Sequence, residues 1–273
     1  MSDTKLSEKK DLSSKVSKTG HSFPIIILNI IAVLALFGIW ILYCRVMEGK
    51  NTLIPSPLLV INAGIEKWQA GLLLQHIGAS LFRVLIAFIG ALILGVVVGF
   101  LMGWYKFIRG ILEPFVQFFR MIPAIALIPL FILYIGIGEM SKIIVIWLSA
   151  FLTITITVYQ GIKNIDPNLI KASKVLGANN FHIFRYIAIP ATFPYILVAA
   201  RLGSAASWTT LVAAELIAAS RGLGYMITEA GTYFQPPVMY LGIILIGVLG
   251  LTMDQIMLLL EKKLASWQEK VAQ

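Results

Sequence analysis

Arg201 and Glu215 are the only charged residues in an otherwise apolar stretch from about Phe193 to Leu216. Between them stand Ser204, Ser207, Trp208, Thr209 and Thr210. Ionisable groups inside a membrane are costly and by default mark a pathway or relay. Hydroxyls can hydrogen-bond a passing oxyanion without trapping it. The chemistry open to this set is passage of a small anion, drawn by Arg201 and gated by Trp208. Each residue also has a plainer use. Arg201 can snorkel to the inner interface or bond carbonyls near Pro190 and Pro194. The hydroxyls can tie helix to helix, and Trp208 can simply pack. Glu215 can pair with Arg221 or cap a re-entrant segment before Gly222 and Gly224. Arg201 and Glu215 are roughly 20 Å apart at about 1.5 Å rise per residue, so they cannot pair within one straight helix.

Covalent chemistry finds no support. His21, His76 and His182 are scattered without metal-ligand spacing. No nucleophile stands beside a base in a recognisable set. The chain carries no Gly-x-x-x-x-Gly-Lys-[Ser/Thr] loop, so it cannot hold ATP in that way. The single Cys44 forms no bridge within one chain. An enzyme is not the expectation, and neither a metal nor a cofactor is assigned to this chain.

The elements that carry these residues follow from composition. Among 273 residues, 59% are apolar and 13% charged, with mean hydropathy +0.88. A soluble domain carries about 25% charged residues, so this is a polytopic membrane protein. Charges bound the apolar runs Phe23–Cys44, Val84–Tyr105, Met121–Gly138, Ile143–Ile162 and Ala230–Met253. Each is near the roughly 20 residues that a spanning helix needs. With Phe193–Leu216 the expectation is an all-α protein of six transmembrane helices. The Phe23–Cys44 run is too long for a signal-peptide core, and no small-residue cleavage site follows it, so it is kept as the first helix.

The net charge of +9 does not point to nucleic acid. It is the loop bias that sets orientation. Residues 1–22 hold five Lys against Asp3, Glu8 and Asp11. Lys106 and Arg109 outnumber Glu113, and Lys163, Lys171, Lys174 and Arg185 outnumber Asp166. Lys262, Lys263 and Lys270 outnumber Glu261 and Glu269. The alternate loops are balanced. Both termini are therefore expected in the cytoplasm.

The expected organisation is a disordered tail over 1–22, a first span over 23–46 and an extracytoplasmic segment over 47–80. A five-helix core over 81–260 and a cytoplasmic tail over 261–273 follow. In the outer segment, Pro55 and Pro57 predict an extended stretch, and Ile65–Leu81 an amphipathic helix. Gly95, Gly99 and Gly103 form a small-residue ladder suited to close helix packing. Pro123 and Pro129 predict a kink or break in the third span, a trait useful to a gate. Arg120 is expected to anchor that span at the inner interface.

The loop 163–190 has order of its own. Asp166 can cap a helix that Pro167 opens. Leu169, Ala172 and Leu176 share a face, and Gly177 suits a left-handed stop. Asn180 can cap a second short helix bearing Phe181, Phe184 and Ile187 on one side. Pro190 and Pro194 then break the chain before the fifth span. A loop this long with its own order is usually functional.

This hairpin resembles the coupling motif of ABC importer permeases. There, Glu-Ala-Ala is followed by three residues, Gly, nine residues and Ile-x-Leu-Pro. Here the same spacing reads Lys171-Ala172-Ser173, Gly177-Ala178, then Ile187-Ala188-Ile189-Pro190. Lys171 replaces the Glu, Ser173 the second Ala and Ile189 the Leu. The resemblance spans about residues 52–268. Pro55-Ser56-Pro57 is similar to the opening of the taurine, alkanesulfonate and nitrate branch. Met121-Ile122-Pro123-Ala124, running on to Pro129-Leu130 and to Gly136-Ile137-Gly138-Glu139, resembles its third-span signature. Ser207 to Ala219, with Gly222-Leu223-Gly224-Tyr225, resembles the taurine-type permeases.

The resemblance implies an ABC type I importer permease fold and docking of Lys171–Ala178 with Ile187 and Pro190 on an ATPase. It implies two copies of the permease, two ATPase subunits holding ATP and magnesium, and an extracytoplasmic binding protein that sets selectivity. Its best solute is taurine, an alkanesulfonate or a similar small anion. Permeases for riboflavin or thiamine-precursor pyrimidines stay open as relatives. A gradient-driven carrier or channel, and a membrane scaffold without a solute path, stay open as other classes.

Overall fold

The computed structural model describes residues 25–47 and 53–264. Their regular structure is helical, as backbone in hydrocarbon requires. The expected tail over 1–22 lies outside the described residues, as does 265–273 of the expected C-terminal tail.

The chain forms two units, Met1–Pro57 and Leu58–Gln273. In the first, α1 (Ile25–Val46) is an unbroken apolar helix. Trp40 Nε1 donates to Pro55 O at 3.1 Å, and Cys44 Sγ lies 3.6 Å from the same carbonyl. The Pro55 carbonyl thus lies against the last turns of α1.

Helix α2 (Pro57–Gln69) starts at the boundary residue, and from Leu58 it opens the second unit, followed by α3 (Leu72–Trp104). The expected helix over 65–81 is split between them. Gly71 holds φ +72, a left-handed conformation that Gly reaches without penalty. Pro57 belongs to no extended stretch; it is the first residue of α2. Then come α4 (Lys106–Met121), a tight turn at Ala124–Leu127 and α5 (Ile128–Ile135). The charged loop expected around 106–113 is therefore the start of α4.

The run Met121–Gly138 is broken at Pro123, as expected, but its helical part begins well before it, at Lys106. Helices Lys106–Met121 and Ala124–Ile135 meet at 93°. Pro123 lacks an N–H and forces Ile122 into extended backbone, at φ −83 and ψ 119. Pro129 causes no break, because it lies in the first turn of α5.

Next are α6 (Glu139–Lys163), α7 (Pro167–Val175), α8 (Asn180–Ile183) and a π-turn at Phe184–Ala188. Last come α9 (Ile189–Ala218), α10 (Leu223–Thr232) and α11 (Pro236–Leu264). The expected break at Pro190 and Pro194 is absent. Helical backbone runs unbroken from Asn180 to Ile217. The π-turn widens the helix where the prolines begin: Ile189 N bonds Phe184 O, five residues back. Among the described residues, five helices are long and apolar enough to cross a membrane. The bent pair makes a sixth if it counts as one span.

Helix α6 packs along both α3 and α9. Val84, Ala87 and Ala91 of α3 meet Ile146, Ala150 and Ile154 of α6 in the core. The glycine ladder sets this spacing. A Cβ on Gly99 would lie 2.8 Å from Thr155 O, and one on Gly103 would lie 2.7 Å from the Ile162 side chain. We expect Gly99→Val to destabilise the protein by about 1–3 kcal/mol through overpacking. Gly247→Ala, whose Cβ meets nothing within 4 Å, should be neutral. Thermal unfolding of the purified protein in detergent compares the two.

Candidate functional site

The hairpin after α6 is built as its sequence dictates. Asp166 Oδ1 accepts from Asn168 N at 2.8 Å and caps α7. Gly177, at φ +84, ends that turn. Gly177 N bonds Lys174 O at 3.0 Å, and Ala178 N bonds Ser173 O at 2.9 Å. These two bonds form a Schellman stop, which satisfies the last carbonyls of α7. The cap of α8 is Asn179, one residue before the expected Asn180; its Oδ1 accepts from His182 N at 2.8 Å. Asn180 already has helical backbone.

One side of the hairpin is anchored. Phe184 stacks edge-on against Trp104 at 5.0 Å and Phe100 at 6.0 Å. Ile165, Ile170 and Ile187 join them. The other side presents apolar residues outward. Val175 and Leu176 are each 87% exposed, and Phe181 and Tyr186 are exposed too. Ser173, Leu176, Ala178, Ile183 and Ile187 line an open apolar groove of about 220 Å³. Lys171, Ala172 and Pro190 are exposed beside it.

At the opposite end of α6 lies a buried charge cluster. Arg83 of α3 has no exposed side-chain surface. Its Nε and Nη2 grip the two oxygens of Glu139 at 2.5 and 2.8 Å. Its Nη1 bonds Glu215 Oε1 at 2.5 Å and Arg221 O at 2.8 Å. Lys142 Nζ adds a contact to Glu139 at 3.3 Å. Two cations thus meet two carboxylates, and the rigid guanidinium fork joins three elements at once. Glu215 also accepts from Gly224 N at 2.9 Å and from Ser80 Oγ. Ser80 Oγ in turn accepts from Leu223 N, and His76 Nδ1 accepts from Gly222 N. Three amides that α10 and its leading turn leave open are met by buried side chains. Gly222 has φ +127, and the Glu215 carboxylate fills the space where a side chain would sit, so both backbone and space call for glycine.

Glu215 therefore caps the segment at Gly222 and Gly224. Its charge partner is Arg83 and not Arg221, which contributes a carbonyl. Arg83, Glu139 and Lys142 read in sequence as span borders and balanced loop charges, and His76 as scattered. A carboxylate, Glu215, opposite a cation one helix away was the available signal. Sequence spacing cannot show which helices touch.

Arg201 is gripped by Asp254 of α11, at 2.8 and 3.0 Å. Ser204 and Ser207 are buried, and Ser207 Oγ bonds Gly203 O. Trp208 Nε1 donates to Ile246 O at 3.1 Å, and its ring packs at Gly250. Thr209 is exposed and bonds Ala205 O. Thr210 is buried and donates to Ser149 Oγ at 3.0 Å. Pro123 stands at the 93° bend, and Pro129 lies one helical turn beyond it.

Residues 91–266 match the family of binding-protein-dependent transport system inner membrane components. The chain belongs to this family. It is 43% identical over 243 residues to a probable ABC transporter permease protein of Brucella abortus (strain 2308), covering 89% of this chain and 96% of that one. It is 33% identical to the taurine transport system permease protein TauC of Escherichia coli (strain K12), covering 89% and 90%. It is 30% identical to the nitrate import permease protein NrtB of a Synechocystis species, covering 90% and 92%. A solved amino acid ABC transporter with histidines shares the fold at TM-score 0.62 and 16% identity, covering 74% and 97%. The inward-facing MetNI methionine ABC transporter matches at TM-score 0.56 and 24% identity, covering 68% and 94%. This permease subunit is a part of an ABC-type importer of the taurine, sulfonate and nitrate group. It is a multi-pass protein of the bacterial inner membrane.

In this permease subunit, removal of Glu215 leaves two cations, Arg83 and Lys142, facing the single carboxylate of Glu139. We expect Glu215→Ala to destabilise it by about 3–5 kcal/mol. Glu215→Gln, which keeps an acceptor for Gly224 N, should destabilise it less. Thermal unfolding in detergent measures both.

Proposed function

We propose that this permease subunit crosses the membrane six times, with the bent pair α4–α5 as one span and both termini in the cytoplasm. Two copies line a path for a small anion such as taurine, an alkanesulfonate or nitrate. Two ATPase subunits dock on the hairpin between α6 and α9, and an extracytoplasmic binding protein delivers the solute at the end where Arg83 lies. Closure of the ATPases on ATP pushes the paired hairpins together and switches the path from inward-facing to outward-facing.

The observation that carries this reading is the hairpin itself. Its Schellman stop at Gly177 presents an apolar groove and the exposed Val175, Leu176, Phe181 and Tyr186 beside basic residues. Apolar residues on the positively charged side of a membrane protein mark a docking surface for another protein. The solute class is supported by relatives whose names specify taurine and nitrate transport.

A Trp at position 177 would strain the left-handed backbone and block the groove. Tagged protein purified in mild detergent should bring an ATPase with it and hydrolyse ATP. Gly177→Trp should reduce that co-purification at least tenfold without loss of the permease. Equal ATPase recovery by both proteins would end the docking assignment.

A further inference from the structure

Helix α4 carries a polar stripe along its length. Lys106, Arg109, Glu113, Gln117 and Arg120 recur at steps of three or four residues, which places them on one face. The helix does not lie flat at an interface, because it climbs along α6. Tyr159 donates to Glu113 at 3.2 Å, Val116 packs with Leu152 and Ile156, and Arg120 shares a cavity with Ser149 and Thr153. Each step along α4 moves towards the start of α6. Ser149 follows Glu139 by ten residues, so it lies roughly 15 Å below that end at about 1.5 Å per residue. That is half of a hydrocarbon core about 30 Å thick. The stripe therefore leads from one membrane face to the midplane and ends on a cation.

The cavity around Arg120 holds about 160 Å³, enough for several waters or one small oxyanion. It opens at the 93° bend, where Ile122 and Pro123 interrupt the helix. Irregular backbone at membrane depth is tolerated where it lines a cavity or is covered by protein. Arg120 is exposed and makes no ion pair among the described residues, unlike Arg83 and Arg201. A guanidinium at the midplane faces water or a partner in preference to lipid. Across the cavity, Ser149 and Thr210 share one hydrogen bond between two hydroxyls, which leaves one hydroxyl proton unspent. The Thr153 hydroxyl is already given to Ser149 O.

We propose that Arg120 and Ser149 form an anion subsite at the membrane midplane, with Thr210 positioning Ser149. The subsite takes a sulfonate or comparable oxyanion head: the guanidinium supplies charge and a planar pair of donors, and the hydroxyl a further donor. This deepens the proposed function, resting on the reading that the chain lines a solute path.

The single cysteine of the chain, Cys44, makes a direct test possible. Thr153→Cys is placed in a Cys44→Ser permease within the purified full complex. Its labelling by sulfonate-bearing and trimethylammonium-bearing methanethiosulfonates is followed by mass, each rate divided by that on a small free thiol. The sulfonate reagent should react about tenfold faster. Adding Arg120→Gln should bring the ratio near one, Arg120→Lys should keep most of it, and millimolar ethanesulfonate should slow the sulfonate reagent at least threefold. A ratio unmoved by Arg120→Gln, no protection by ethanesulfonate, or no reaction with either charged reagent would each overturn the subsite. Co-purified ATPase and its ATP turnover, read on the same samples, report separately on the importer reading.

Discussion

The Arg83 guanidinium joins α3 to α6 through Glu139 and to α9 through Glu215. It also reaches the turn before α10 through the Arg221 carbonyl. A buried cation needs charge and hydrogen-bond partners in fixed places, and each partner here belongs to a different element. The consequence is that four segments share one geometry at that end of the molecule. Glu215 extends it by capping α10, whose open amides would otherwise be unsatisfied in an apolar setting.

The opposite end obeys a different logic. There the hairpin is held by stacked aromatic rings and branched aliphatic residues, with no buried charge at the contact. Its outer side keeps apolar residues uncovered within the chain. Helix α6 connects the two ends and packs along both α3 and α9 between them. The glycine ladder brings α3 and α6 so close that their separation leaves little freedom. One continuous helix thus runs from the cluster at Glu139 to the start of the hairpin.

Arg83, Arg120 and Arg201 have different surroundings. Arg83 is enclosed and doubly paired, Arg201 is half-buried and gripped by Asp254, and Arg120 faces a cavity beside hydroxyls. The first two join helices. The third stands where the α4 stripe meets the bend and makes no ion pair among the described residues.

Much of the architecture was legible in the sequence because hydrocarbon leaves the backbone few options. Charge-free runs of spanning length marked the helices. Asp166, Pro167 and Gly177 marked the hairpin, since caps and left-handed stops depend on the residue itself and its nearest neighbours. The family resemblance rested on the same local spacing. Failures came where distant contacts or continuous backbone decided. Pro190 and Pro194 signalled a break, but Pro190 falls in the first turn of α9 just after a π-turn and Pro194 is carried inside that helix; the charged run at 106–113 signalled a loop, but it folded as the start of α4. The partners of Arg83, Arg201 and Glu215 lie on other helices, so no spacing along the chain reveals them. Sequence alone determined the membrane class, the local turns and the hairpin, because these follow from solvent and short-range sterics. Tertiary structure alone decided which charges meet and that Arg120 comes to stand beside Ser149 and Thr153, because both depend on how helices far apart in sequence pack side by side.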